Sequence, residues 1–281
     1  MHLLMVVMAL ILAWYLRSQW SSPIGNWMER FPRALLLFLL PPLLLLTTTF
    51  AVFCMGPHGH IMVWGWEGWV SYGLAISFLG FAGVLWLKLV WEGNRMLKQI
   101  RTYPIIYVYG TPARLLNVPV VYCALVGFWK PELIISQGLL DTLDSVHLKA
   151  VLAHEDGHRH YHDTCWFFFL GWLRQLTSWL PHTESLWQEL LLLREIRADY
   201  WAARQVDSLL LAEALLLVVN TPVLLESNFC AAFAQHISTN HVTQRIDALL
   251  QEPNSMGTPK PWSWVWLILV LVPLLVIPFH S

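Results

Sequence analysis

Apolar residues fall into four long runs, at residues 3–16, 34–55, 69–87 and 262–279, and the stretch between the third and fourth mixes apolar with polar positions. A helix that crosses a bilayer needs about 20 predominantly apolar residues. The second and third runs meet that length. The first reaches it only by extending past Arg17 to Trp20, and the fourth contains Pro273. All four are read as transmembrane helices, with spans at 3–20, 34–55 and 69–87 filling residues 1–94 and a last span at 262–279. Pro41-Pro42 predicts a kink in the second span, which membrane helices tolerate. No small-residue cleavage site follows the first run, so it reads as a retained anchor and not a signal peptide.

Residues 95–252 read as a separate α+β domain. Ile105–Tyr109, Val118–Tyr122 and Glu132–Ser136 are rich in β-branched and aromatic residues and predict strands, broken by Gly110, Pro112, Gly127 and Pro131. Helices are expected from 145 onward. Ala124, Leu125, Val126, Gly127 and Phe128 form the candidate edge strand, where an extended peptide can pair. Cys165–Leu173 is too short to span a bilayer, and Leu209–Leu225 is interrupted by Glu213 and by Asn220-Thr221-Pro222. Both read as helices that are buried or lie on the membrane. Residues 253–261 carry turn-forming Pro, Asn, Ser and Gly and read as a linker. The expected fold is thus a mainly α integral membrane protein with four transmembrane helices and an α+β domain containing a small sheet.

Composition agrees with the runs. The chain is 57% hydrophobic and only 12% charged, too apolar for an ordinary soluble domain. A net charge of −1 gives no electrostatic basis for direct nucleic-acid binding. Many of the 17 tryptophans lie near the ends of apolar runs, as interfacial anchors do. The four cysteines, Cys54, Cys123, Cys165 and Cys230, lack metal-type spacing and read as reduced structural residues. Arg17, Arg30 and Arg33 follow the first run, and Lys88, Arg95, Lys98 and Arg101 follow the third, whereas the 55–68 loop has no Lys or Arg. Positive charge marks the cytoplasmic side, so residues 88–261 are expected inside, with the N- and C-termini and the 55–68 loop outside.

The chemistry sits in that domain. Residues 154–158 read His-Glu-Asp-Gly-His, after the helix-forming run Leu148–Ala153. On a helix, His154 and His158 lie one turn apart on one face and can share a metal ion. Glu155 projects about 100° around the helix, toward a water activated at that metal, where it can act as general base. Pro181 separates this segment from a second helical one, Leu186–Arg204, which presents Glu195 and Asp199 on one face. Zinc is the expected metal, one per chain, since two histidines and a carboxylate with an open fourth position make a catalytic zinc site.

Glu195 is the best candidate third ligand, and Asp199 is expected to orient a ligand histidine. His162 shares the face of His154 and His158 but stands about 12 Å along the axis from His154, too far for one ion. Glu189 and Glu184 are weaker alternatives. His160 and His162 read as solvated or interfacial residues. Arg245 is a candidate partner for Asp199 or for an oxyanion in the transition state. Asp156 points away from the ligand face.

Taken together, Gly138-Leu-Leu, Leu148–His158, Arg194–Asp199 and Gln244-Arg-Ile246 resemble the integral-membrane gluzincin metallopeptidases. The chain is most similar to their β-lactam sensor–transducer type, with the heat-shock and CAAX-processing membrane zinc proteases next nearest. The resemblance implies zinc on His154, His158 and Glu195, Glu155 as base, and proteolysis of a cytoplasmic partner, often a winged-helix DNA-binding repressor. It departs from the pattern at Asp156, where the family has an apolar residue. No penicillin-binding sensor domain follows the last run, so β-lactam sensing is not expected. Two other readings compete: a broad-specificity quality-control protease, and a non-catalytic scaffold or receptor with a structural zinc. A closed structural site needs four protein ligands and has no use for Glu155. A transporter is disfavoured, because the spans lack paired intramembrane charges.

Overall fold

Helices dominate the computed structural model, which describes residues 2–21, 25–57, 65–219, 239–250 and 266–279. The chain forms two compact units. One comprises Met1–Leu89, Leu170–Leu190 and Met256–Ser281, and the other Val90–Phe169 and Leu191–Ser255. The expected division at residue 94 is therefore redrawn at 89/90, and residues 170–190 belong to the first unit. The expected linker at 253–261 lies outside the described residues.

Within the first unit, α1 (His2–Ser18) has 17 residues, α2 (Trp27–Met55) 29, and α3 (Gly65–Ile100), which continues into the second unit, 36. Among the described residues, only α2 and α3 are long and apolar enough to cross a membrane by length and composition. The last apolar run forms a short helix (Leu267–Leu271) that tightens into a 3₁₀ turn over Val272–Phe279. Pro273, lacking an N–H, cannot continue the α-helical ladder there.

The prolines of α2 have a specific partner. Pro42 has no N–H to bond the carbonyl of Phe38 one turn earlier. The Arg17 guanidinium takes that carbonyl instead, donating from Nη2 at 3.2 Å. Its Nη1 donates to Thr183 Oγ1 at 3.1 Å, and the cation lies 5.0 Å from the Phe38 ring centroid. Arg17, expected as an orienting charge in a loop, is fully buried. Burial without a carboxylate is tolerable because carbonyl, hydroxyl and ring face share the charge.

The second unit is built on a sheet of order β1-β2-β4-β3. β1 is Ile105–Val108, β2 Thr111–Leu116, β3 Cys123–Val126 and β4 Glu132–Ser136. β1 and β2 form an antiparallel hairpin closed by Val108 and Thr111. Its turn residues Tyr109 (φ 48°) and Gly110 (φ 81°) both have positive φ, as a two-residue type I′ turn requires. Pro112, read as a strand breaker, is tolerated inside β2. It faces Tyr107 in a non-hydrogen-bonded pair, and pairing with β4 begins only at Ala113. The expected strand at 118–122 does not form. Val118 N–H closes a tight turn on Leu116 C=O at 2.9 Å, and the chain then crosses Gly138. A Cβ at Gly138 would stand 2.2 Å from Pro119 O, so that crossing needs glycine.

Alternation along the strands fills both faces of the sheet. Ala113, Leu125, Leu133 and Ile135 pack with Leu139 of α4 (Gln137–Thr142), its C-cap Leu143, and Leu148 of α5 (Ser145–His160). Leu116, Val126 and Ile134 pack on Ile100 at the end of α3. The start of α6 (Asp163–Leu176), the end of α7 (Thr183–Ala202) and the whole of α8 (Ser208–Val219) also belong to this unit. Thr239–Leu250, called α9, completes it.

Candidate metal centre

Two helices carry the site. Asp144 caps α5, accepting from Val146 N–H at 3.0 Å and His147 N–H at 2.9 Å. α7 crosses α5 at Gly157, where an added Cβ would stand 3.1 Å from Ala198 Cα. That close approach sets His154 and His158 against Glu195 and Asp199.

The three expected ligands converge. His154 Nε2 and His158 Nε2 are 3.1 Å apart. Glu195 Oε2 lies 3.3 Å from His154 Nε2, and Oε1 lies 3.6 Å from His158 Nε2. This cluster of two imidazoles and a carboxylate could hold a metal ion. The alternatives are engaged elsewhere, in the first unit: Glu189 accepts from Arg30 at 2.8 and 3.0 Å, and Glu184 from Arg174.

Each histidine is backed by a carboxylate, and each carboxylate by an arginine. His154 Nδ1 lies 2.8 Å from Asp199 Oδ1, an ion-pair contact whose angle falls short of an aligned hydrogen bond. Asp199 in turn accepts from Arg245 Nε and Nη2, both at 2.7 Å. On the other side, His158 Nδ1 pairs with Asp163 Oδ2 at 2.8 Å, and Asp163 Oδ1 accepts from Arg197 Nη2. With both Nδ1 atoms committed, both Nε2 atoms face the centre, which is the orientation a metal needs.

Arg245 is thus placed on Asp199, buried, with Nη1 3.5 Å from Glu195 Oε2. Sequence reasoning assigned no role to Asp163. Its position becomes clear only at the turn after α5, where His162 adopts φ 54° and brings Asp163 back to His158. Arg194 also went unremarked. Its Nη2 donates to Glu195 Oε1 at 2.7 Å, and its guanidinium lies 4.8 Å from the Phe167 ring. Asp156 accepts from Trp201 Nε1 at 3.2 Å, and the His160 ring stacks on Trp201 with centroids 3.8 Å apart. Both residues therefore tie α5 to α7.

Electrostatics follow from this packing. Burial depresses the His154 imidazolium, but Asp199 and Glu195 outweigh it and push its pKa up to about 10. His158 is raised as well, the carboxylates of Glu195 and Asp163 overcoming burial. Burial alone would raise Glu195, yet Arg194 and the two histidines hold it well below the usual carboxylate range. Glu155 goes the other way: burial raises it despite the nearby histidines. A raised carboxyl is suited to a general base near neutral pH.

Glu155 Oε2 accepts the N–H of Leu125 at 3.1 Å. Leu125 belongs to β3, an outer strand of the sheet. Of the expected edge, Ala124–Val126 lies in the strand Cys123–Val126, while Gly127 turns away at φ 129°. Phe128 packs edge-on against Phe168 with centroids 4.2 Å apart. It packs against α6, beyond the end of the strand.

No protein-family model, curated protein or solved structure matches this chain.

Proposed function

We propose that this chain is a membrane-embedded zinc metalloendopeptidase of the gluzincin kind that hydrolyses a cytoplasmic regulatory protein, a DNA-binding repressor being the favoured substrate. The observation that carries the reading is the spacing of the three ligand atoms. Donors bonded to a tetrahedral zinc at about 2.0–2.1 Å stand about 3.3 Å from one another. The two Nε2 atoms lie 3.1 Å apart, Glu195 meets them with different oxygens, Oε2 at 3.3 Å from His154 and Oε1 at 3.6 Å from His158, and one ligand atom from each residue lies within 4.8 Å of the others. Three protein donors leave one position open, as catalytic sites do.

Zinc at this site would polarise a scissile carbonyl and make water a competent nucleophile at neutral pH. The residues do the rest. Glu155 takes a proton from the attacking water and delivers it to the leaving amine. Asp199 and Asp163 hold the two imidazoles in register, and Arg245 and Arg197 fix those carboxylates. Arg194 steadies Glu195.

Membrane embedding is supported by where α3 puts its side chains. The most apolar 18-residue stretch of α3 is only 11% buried, against 72% for α2. Trp66, Trp69, Leu74, Phe81, Val84 and Leu87 all face outward, an apolar surface that lipid solvates and water does not. Four spans, with Lys88, Arg95, Lys98 and Arg101 on the cytoplasmic side, remain the proposed topology.

The test uses full-length protein in detergent. Wild type should bind one zinc per chain and cut a specific co-expressed repressor, and Glu155→Gln should keep the zinc and lose the cleavage. Unchanged cleavage by Glu155→Gln overturns the mechanism. Sequence-indifferent digestion of casein would replace the regulatory role with quality control.

A further inference from the structure

The general base and the sheet edge are joined by a bond that hydrolysis itself does not use. Glu155 Oε2 accepts from Leu125 N–H at 3.1 Å, and both residues are buried. The direction of that amide follows from the strand register. Ser136 N–H donates to Tyr122 C=O at 2.9 Å, so this opposed pair is a hydrogen-bonded one. Ala124 with Ile134, and Val126 with Glu132, then follow as hydrogen-bonded pairs in the alternating antiparallel pattern. Cys123 and Leu125 therefore turn their N–H and C=O groups away from β4, toward the free edge.

Those outward groups are what an added strand would use. The Glu155 carboxylate sits on one of the donors that an extended peptide needs. While it does, the carboxylate is held on the strand through Oε2, and Oε1 alone is left to face the attacking water. One side chain thus answers to two sites that substrate must occupy together.

We propose that the Glu155–Leu125 bond is a latch that substrate itself releases: an extended peptide pairing with the outer edge of β3 takes the Leu125 N–H as its own donor and frees the Glu155 carboxylate for the attacking water. This inference rests on the peptidase reading of the site. The exchange makes and breaks no covalent bond. A peptide carbonyl replaces the carboxylate on the Leu125 amide, and the carboxylate regains a hydrogen bond to water. The peptide wins because it also reaches the outward groups of Cys123 and the Leu125 carbonyl. Leu125 is then a positioning residue acting through Glu155. The base is held to the strand until a strand-forming substrate arrives, which favours extended segments over short or folded ones.

The experiment compares two substrates on full-length, zinc-loaded protein. One is furylacryloyl-glycyl-leucinamide, too short to reach the edge. The other is a ten-residue peptide with the same glycyl-leucyl core and alternating Val and Thr outside it. Leu125→Pro deletes the N–H where an edge strand tolerates proline, and Leu125→Ala controls for the side chain. The latch predicts opposite signs for Leu125→Pro: kcat/KM rises about tenfold for the short substrate, the scale of one hydrogen bond to a charged group, and falls for the long one. A fall for both, or no change for the short substrate, overturns the proposal. If Leu125→Pro does not fold, an ester linkage replacing the 125 amide makes the same test. Hydrogen exchange at the Leu125 amide separates this inference from the peptidase reading. Exchange should quicken at least tenfold in Glu155→Ala, and the ten-residue peptide should restore protection. If wild type cuts neither substrate, the peptidase reading fails, and unchanged exchange in Glu155→Ala sinks the latch independently.

Discussion

His154 and His158 present Nε2 to Nε2 at 3.1 Å, with each Nδ1 turned to its own carboxylate. Two bare lone pairs so placed repel, so the arrangement needs a cation between them: a proton in the metal-free protein, a metal in the loaded one.

The first prediction concerns that exchange. His154 is held up to about 10 in the metal-free site, and His158 is also raised. His154 is protonated at pH 7, and zinc must displace the proton that it shares with His158. Calorimetry at pH 7 in buffers of different ionisation enthalpy should show about one proton released per zinc. The sign for stability is opposite to the usual carboxylate case. A folded pKa above the unfolded 6.5 stabilises fully below pH 6.5 and is lost as pH rises toward about 10. Chelated protein should therefore melt progressively lower between pH 6.5 and 10, and zinc should abolish that slope. Release of no protons would remove the metal assignment.

The two carboxylate–arginine pairs should not be equivalent to the ligands. Glu195→Gln removes a ligand and should empty the site. Asp163→Asn keeps every ligand and should weaken zinc binding about 10- to 100-fold. Arg245→Met strands the buried Asp199 carboxylate and should cost about 3–5 kcal/mol of stability. His160→Ala loses its ring contacts with Trp201 and Tyr161 and should keep full zinc at a cost of about 1 kcal/mol. Metal content by mass spectrometry and thermal melting read both quantities.

Gly157 tests whether helix approach positions the ligands. Its missing Cβ already lies within 3.1 Å of Ala198 Cα and O. Gly157→Val must push α5 from α7 and should lose zinc even where circular dichroism shows the helices intact. Full zinc occupancy in this variant would show that the crossing is dispensable.

Arg17 and Pro42 should be coupled. Arg17→Leu leaves the Phe38 carbonyl unbonded and should lower the melting temperature in detergent. Pro42→Ala restores an N–H to that carbonyl, so the double variant should recover about 1 kcal/mol relative to additivity. Strict additivity would mean that Arg17 acts only through its bonds to Thr183 and Thr177.

Local spacing determined part of this protein before any fold was known. The pairing of His154 with His158, and of Glu195 with Asp199, is a helical periodicity, and a helix presents those side chains together wherever it lies. The apolar runs behind α2 and α3 were legible for the same reason, since length and composition are local. Tertiary structure decided the rest. Asp163 reaches His158 only through the left-handed turn at His162, and Arg245 reaches Asp199 from a helix distant in sequence. β2 was missed because its Pro112 is harmless only where no strand lies beside it, which is a fact about the neighbour β4. Arg17 read as a loop charge because the carbonyl it satisfies belongs to another helix. Each of these depends on which distant group fills a vacant donor or acceptor, and no residue-by-residue periodicity encodes that.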